Sequence, residues 1–172
     1  MNPSTFRSNL KTQLQALAAY TTLGAKVWAY PPGKYADTNP TIFIRDVEQV
    51  NHDLFTLIGD AERNYTVTVG GYAPAAGQAS TDTDWGTMET NAYTLINGLI
   101  GQLEDDGTVN GACDYARVSS WSLSPSQLEE NGRAFMDIEA TITVRVLTKR
   151  QPTEAWPSNS TGSESSPPQC GK

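Results

Sequence analysis

Residues 134–148 read Ala-Phe-Met-Asp-Ile-Glu-Ala-Thr-Ile-Thr-Val-Arg-Val-Leu-Thr. Met136, Ile138, Ala140, Ile142, Val144 and Val146 take every second position, and Asp137, Glu139, Thr141, Thr143 and Arg145 take the positions between. Successive side chains of a strand point to opposite faces, so this stretch has one buried face and one wet face. That pattern belongs to antiparallel sheets, because strands of parallel sheets are covered on both sides and read as unbroken apolar runs. Asp114 to Leu123 (DYARVSSWSL) reads as the partner strand, which makes Ser124 to Arg133 a hairpin loop. A parallel, doubly wound fold is thereby disfavoured.

Upstream of this hairpin, Trp85, Met88, Ala92, Leu95, Ile96, Leu99, Ile100 and Leu103 recur at helical spacing. Thr81 to Asp84 supplies hydroxyls and carboxylates to cap that helix, and Gly107 follows the last periodic residue as a stop. Residues 73–84 read as a flexible connection. Thr41 to Val47 and Tyr65 to Val69 carry the β-branched and aromatic content of two strands. Between them, residues 51–64 fit either a helical turn or, with Gly59-Asp60 as turn, a long hairpin, and the hairpin is the preferred reading. At the start, Asn2 caps and Pro3 opens a helix whose apolar stripe is Phe6, Leu10, Leu14 and Leu17, with Gly24 as its stop. Lys26 to Tyr30 then reads as a strand ended by Pro31-Pro32-Gly33. The sum is an α+β domain: a mainly antiparallel sheet with two principal helices packed on one face.

The 172 residues give room for one domain with a real core, expected over residues 1–149. Residues 150–172 hold four prolines and five serines with Trp156 as the one large apolar side chain, a composition expected to stay disordered. Net charge is −7 with the basic residues scattered, which argues against specific nucleic-acid binding. No run has the length of a membrane span and the N-terminus lacks a signal pattern, so the expected location is the cytoplasm in which the chain is made. Cys113 and Cys170 fit neither a disulfide framework nor a four-ligand metal site and are expected to be reduced thiols. The N-x-S/T matches at Asn64 and Asn159 carry no weight without secretion.

Catalytic devices are missing from the sequence. His52 is the one histidine and lies in a polar turn, and no P-loop, nucleophile elbow, dinucleotide-binding, H-E-x-x-H or C-x-x-C motif occurs. Asp82-Thr-Asp84 resembles the opening of a calcium loop, but the later ligands are absent and helix capping explains it better. No metal and no cofactor are expected. Glu104-Asp105-Asp106 opposes the dipole at the end of its helix, which marks either a solvated acidic turn or a separate task. Trp28, Tyr30, Tyr35, Tyr72 and Trp121 lie at strand ends and loops and form the candidate interface set.

The order of segments is more specific than any one of them. An amphipathic helix is followed by V-W-A-Y-P-P at 27–32, I-F-I-R-D at 42–46, R-N-Y-T-V-T-V at 63–69, L-I-N-G-L-I at 95–100 and the long final strand. Across roughly residues 4–150 this order resembles the tail terminator, or tail-completion, proteins of long-tailed phages. The resemblance implies a non-enzymatic virion protein that forms a ring, usually of six subunits, on the head-proximal end of the tail tube. Its implied partners are copies of itself, the major tail tube protein and a head completion or connector protein. Genome DNA would pass through without specific binding, a passage that an acidic chain suits. A head–tail adaptor or a tail-tube subunit is the nearest alternative. A small hydrolase using the carboxylates of Asp82 and Asp84 is the alternative from another class.

Overall fold

A computed structural model describes residues 1–33, 38–50, 54–55, 61–75, 81–127 and 134–148. In chain order the elements are α1 (Pro3–Gln15), α2 (Ala18–Leu23), β1 (Lys26–Trp28), β2 (Thr41–Gln49), β3 (Leu54–Phe55), β4 (Ala61–Pro74), α3 (Asp82–Asp105), β5 (Tyr115–Gln127) and β6 (Ala134–Thr148). The strands form one mixed sheet in the order β1-β2-β4-β6-β5, with β3 paired to the start of β4. The β1·β2 pair is parallel and the other pairs are antiparallel. This is the α+β architecture that the alternation in β6 implies.

The strand β6 occupies the most protected place. It pairs with β4 along one edge and β5 along the other, and Met136, Ile138, Ala140, Ile142 and Val144 are buried. These side chains join Ile42, Ile44, Tyr65, Val67 and Val69 beneath Phe6, Leu10 and Leu14 of α1 and Met88, Ala92, Leu95, Ile96 and Leu99 of α3. All the helices therefore cover one face. The other face holds Thr66, Thr68, Thr141 and Thr143, half-buried only by their neighbours. Close-packed apolar burial on the helix face supplies the stability.

Six sequence expectations change. The first helix is two, because Leu17 is extended (φ −66°, ψ 127°) and caps α2 instead of continuing α1. The break turns Tyr20 into the core, where its hydroxyl donates to the Leu95 carbonyl at 2.6 Å and its ring lies against Gly98. Of the expected connection at 73–84, Ala73 and Pro74 belong to β4, Thr81 caps α3 and Asp82–Asp84 open it, and 76–80 are outside the described residues. The strand of 65–69 runs on through Gly70 and Gly71, and at Gly70 the Phe43 ring fills the space a side chain would need. Gly107 is not the left-handed stop of α3, a role taken by the Asp106 carboxylate as described below. The strand at 26–30 is shorter than expected, ending at Trp28. The β5 strand is longer, reaching Gln127 inside the expected hairpin loop, whose residues 128–133 are outside the described residues. The antiparallel β3·β4 pair agrees with the hairpin reading of 51–64, whose turn, with His52, also lies outside them.

Candidate assembly interface

At one end of the sheet, Gly24 closes α2 in the left-handed conformation (φ 64°) and the chain enters β1. Val27 is buried opposite Ile42, whereas Trp28, opposite Phe43, is 42% exposed. Two residues later Tyr30 is 57% exposed, with its ring centroid 4.8 Å from the Arg7 guanidinium. Arg7 is a buried cation on α1. It donates to the carbonyls of Ala29 at 2.9 Å, Ile44 at 2.5 Å and Arg45 at 3.1 Å. A bulge between Ile44 and Asp46 interrupts the ladder there, so the guanidinium meets carbonyls that the sheet does not regularly pair. Carbonyl dipoles and the face of an aromatic ring offset the cost of burying the charge.

At the opposite end, β5 presents Tyr115 (47% exposed) and Trp121 (42%), and Tyr93 of α3 (40%) packs edge-to-face on Trp121 with centroids 5.7 Å apart. Between the second half of α3 and the Asp114–Trp121 stretch runs a groove of about 840 Å³, with Ile100 and Leu103 on the helix side and Glu104 at its rim. The outer edge of β5 is uneven. A bulge between Val118 and Ser120 turns Ser119 back, its hydroxyl donating to the Thr141 carbonyl at 3.0 Å, and Pro125 has no N–H to offer. Such devices blunt an edge against further strand pairing. Over Tyr115–Val118 neither occurs.

The turn from α3 into β5 fixes the lower end of the groove. The Asp106 carboxylate accepts from the Thr108 hydroxyl at 2.6 Å, the Thr108 N–H at 3.0 Å, the Asn110 N–H at 2.8 Å and the Gln13 amide at 2.5 Å. The Thr108 hydroxyl bond first, and the Asn110 N–H bond after it, pull the carboxyl down to a pKa of about 2. Val109 and Asn110 both have positive φ (50° and 52°), a strained pair for residues with side chains. The Asp106 bonds and the burial of Val109 hold them there, and Asn9 of α1 donates to the Val109 carbonyl at 3.1 Å. Asp106, the last of the three acidic residues at this helix end, thus builds a turn. Cys113, a buried free thiol at the turn's exit, is pushed up to about 11 by its burial, which keeps it protonated at neutral pH.

No family of known proteins matches this chain, and no curated protein does. It is similar to a chain in a solved structure described as the virion of a native gene transfer agent (GTA) particle. The identity is 16%, the TM-score is 0.44, and the superposition covers 81% of this chain and 93% of that one.

The five aromatics singled out in the sequence separate. Trp28 and Tyr30 lie at the β1 end and Trp121 at the β5 end. Tyr72 is a correction: it lies within β4, 3% exposed, with its ring edge-on to Phe135 at 6.4 Å, so it is not open to a partner. Tyr35 is outside the described residues. Tyr93 and Tyr115 were not singled out, although signals existed. Tyr93 sits off the apolar stripe of α3, and Tyr115 stands opposite Arg145 on the wet face of β6.

Asp84, Asp137 and Glu139 each have a partner. Asp84 accepts from the N–H and hydroxyl of Thr81 at 3.1 and 2.8 Å, completing a capping box. A shallow 310 Å³ hollow on the open face includes Asp137 and Glu139, but Ser126 donates to Asp137 at 2.6 Å and Glu139 pairs with Arg45 at 3.0 Å. Among the described residues no group of three or more His, Cys, Asp or Glu is placed to hold a metal, and no helix is long and apolar enough to cross a membrane.

Proposed function

We propose that this protein is a non-enzymatic phage structural subunit that closes into a ring on the head-proximal end of the tail tube, ends tube growth and joins the tail to the head. One observation carries the reading: exposed aromatics lie at the two opposite ends of a single sheet, Trp28 and Tyr30 beside β1 and Tyr93, Tyr115 and Trp121 beside β5. A closed ring of identical subunits needs two different patches on each subunit, the first of one copy meeting the second of the next. Aromatic side chains bring large apolar area to such contacts. The segment order in the sequence supplies the virion context, and six subunits is the number that resemblance implies.

Partners follow from the same reading: further copies of the chain, the tube protein below the ring, and a head completion or connector protein above it. The acidic surface lets genome DNA pass without being held. Each contact is small, so the free chain is a monomer that gathers into a ring on the tube's repeated sites, where several weak contacts act together. Adding the purified protein to tail tubes that are still elongating tests this. Growth stops and rings appear at one tube end in electron micrographs if the reading holds; continued growth with no end-bound density refutes it.

A further inference from the structure

Among the described residues, β1 and β5 end the sheet, and neither pairs with another strand on its outer side. Strand directions follow from the pairing. Since β1 is parallel to β2, and β2, β4, β6 and β5 alternate, β1 and β5 run in opposite directions. A second copy brought alongside by rotation about an axis close to the strand direction keeps its strands pointing as they did, so its β1 meets β5 antiparallel and with the helix faces on the same side. Resting on the ring reading, we propose that the contact between neighbours is this strand pairing, with β1 of one copy adding to the Tyr115–Val118 part of β5 on the next and making the sheets continuous around the ring.

Three observations favour this occupant. The lengths match, because β1 has three residues and the open part of β5 has four before its bulge. Beyond that point the bulge and Pro125 spoil the edge, so a long partner strand would find no continuous ladder, whereas a short one needs none. Charge also differs between the ends. Glu104, Asp105 and Asp114 are exposed at the β5 end, with Arg117 the opposing charge, while the β1 end carries Lys26 and, one turn after Arg7 on α1, Lys11. Main-chain hydrogen bonds then supply affinity and the flanking charges set register and choice of partner.

Hydrogen exchange read by mass spectrometry on the full chain, alone and bound to purified tail tubes, tests the proposal. Exchange at Tyr115–Val118 and Lys26–Trp28 slows by roughly tenfold or more on assembly, while Ser120–Gln127 changes little. In parallel, Glu104→Lys with Asp105→Lys weakens assembly by about tenfold, and adding Lys11→Glu with Lys26→Glu restores it. Rings whose β5 amides exchange as fast as in the free chain, or a charge reversal that its reciprocal does not rescue, overturn the strand pairing and leave the ring standing. Failure to form any ring overturns both.

Discussion

Two neighbouring strands of the same sheet, β6 and β5, have opposite circumstances. The first is hydrogen-bonded along both edges and buries every second side chain of Met136–Val144. The second is bonded along one edge only and leaves Tyr115 and Trp121 about half open. They differ in what surrounds them more than in strand character. Stability is therefore concentrated where β6 meets the helices, and the capacity for association lies at the edges, where a change can be felt by a partner without being felt by the core.

The largest effect expected from this difference is at Val144. Placing a carboxylate on that fully buried site, Val144→Asp, strands a charge without a partner and should cost on the order of 4 kcal/mol or more, enough to leave little folded protein. Circular dichroism and solubility check it. A soluble, cooperatively melting variant would mean that the faces of β6 are reversed.

Next is Gly98→Ala on α3. The added Cβ would stand 2.5 Å from Cε1 of the Tyr20 ring, which is itself fully buried and bonded to Leu95. The ring must move, at roughly 1–3 kcal/mol, in place of the gain alanine gives an open helix position. Denaturant titration giving equal or higher stability would show that the α2·α3 contact is loose.

Asp106 predicts a pH dependence. Its folded pKa of about 2 lies below the ordinary 3.8, so its contribution is present above about pH 4 and is lost as the pH falls toward 2. Asp106→Asn should melt slightly earlier at neutral pH and lose less than the natural chain between pH 4 and pH 2. Parallel acid titrations would contradict the assignment of the turn to this carboxylate.

The smallest effect on stability belongs to the edge. Trp121→Ala should change unfolding free energy by less than about 1 kcal/mol, because the ring is 42% exposed, yet it should weaken ring formation on tubes severalfold. A large loss of stability with assembly unchanged would reverse the roles assigned to β5 and β6.

Sequence revealed most where one physical requirement governed a long run. The two-residue period of β6 and the helical period of α3 each had a single explanation, and Thr81 with Asp84 announced its cap. It failed where two requirements overlapped. Leu10, Leu14 and Leu17 kept helical spacing across the break at Leu17, since both α1 and α2 rest on the same core. The strand reading stopped at Val69, and contacts from β2 explain why Gly70 and Gly71 continue it: the Phe43 ring fills the space beside Gly70, and the Thr41 carbonyl fills it beside Gly71. Arg7 could not be recognised as a buried cation because its carbonyl partners come from residues 22 to 38 positions away. For the interface, aromatic type was legible and accessibility was not: Trp28 and Tyr72 look alike in sequence, and neighbours brought by the sheet decide that one is half open and the other covered.

The most direct test of the central claim is the length of tails made without this protein. A phage whose copy is disrupted should fill its lysate with tails of abnormal length that do not join filled heads, visible by electron microscopy, and supplying the natural chain should restore uniform tails. Tails of uniform, normal length in the absence of the protein, whether joined to heads or not, would contradict its role as the cap.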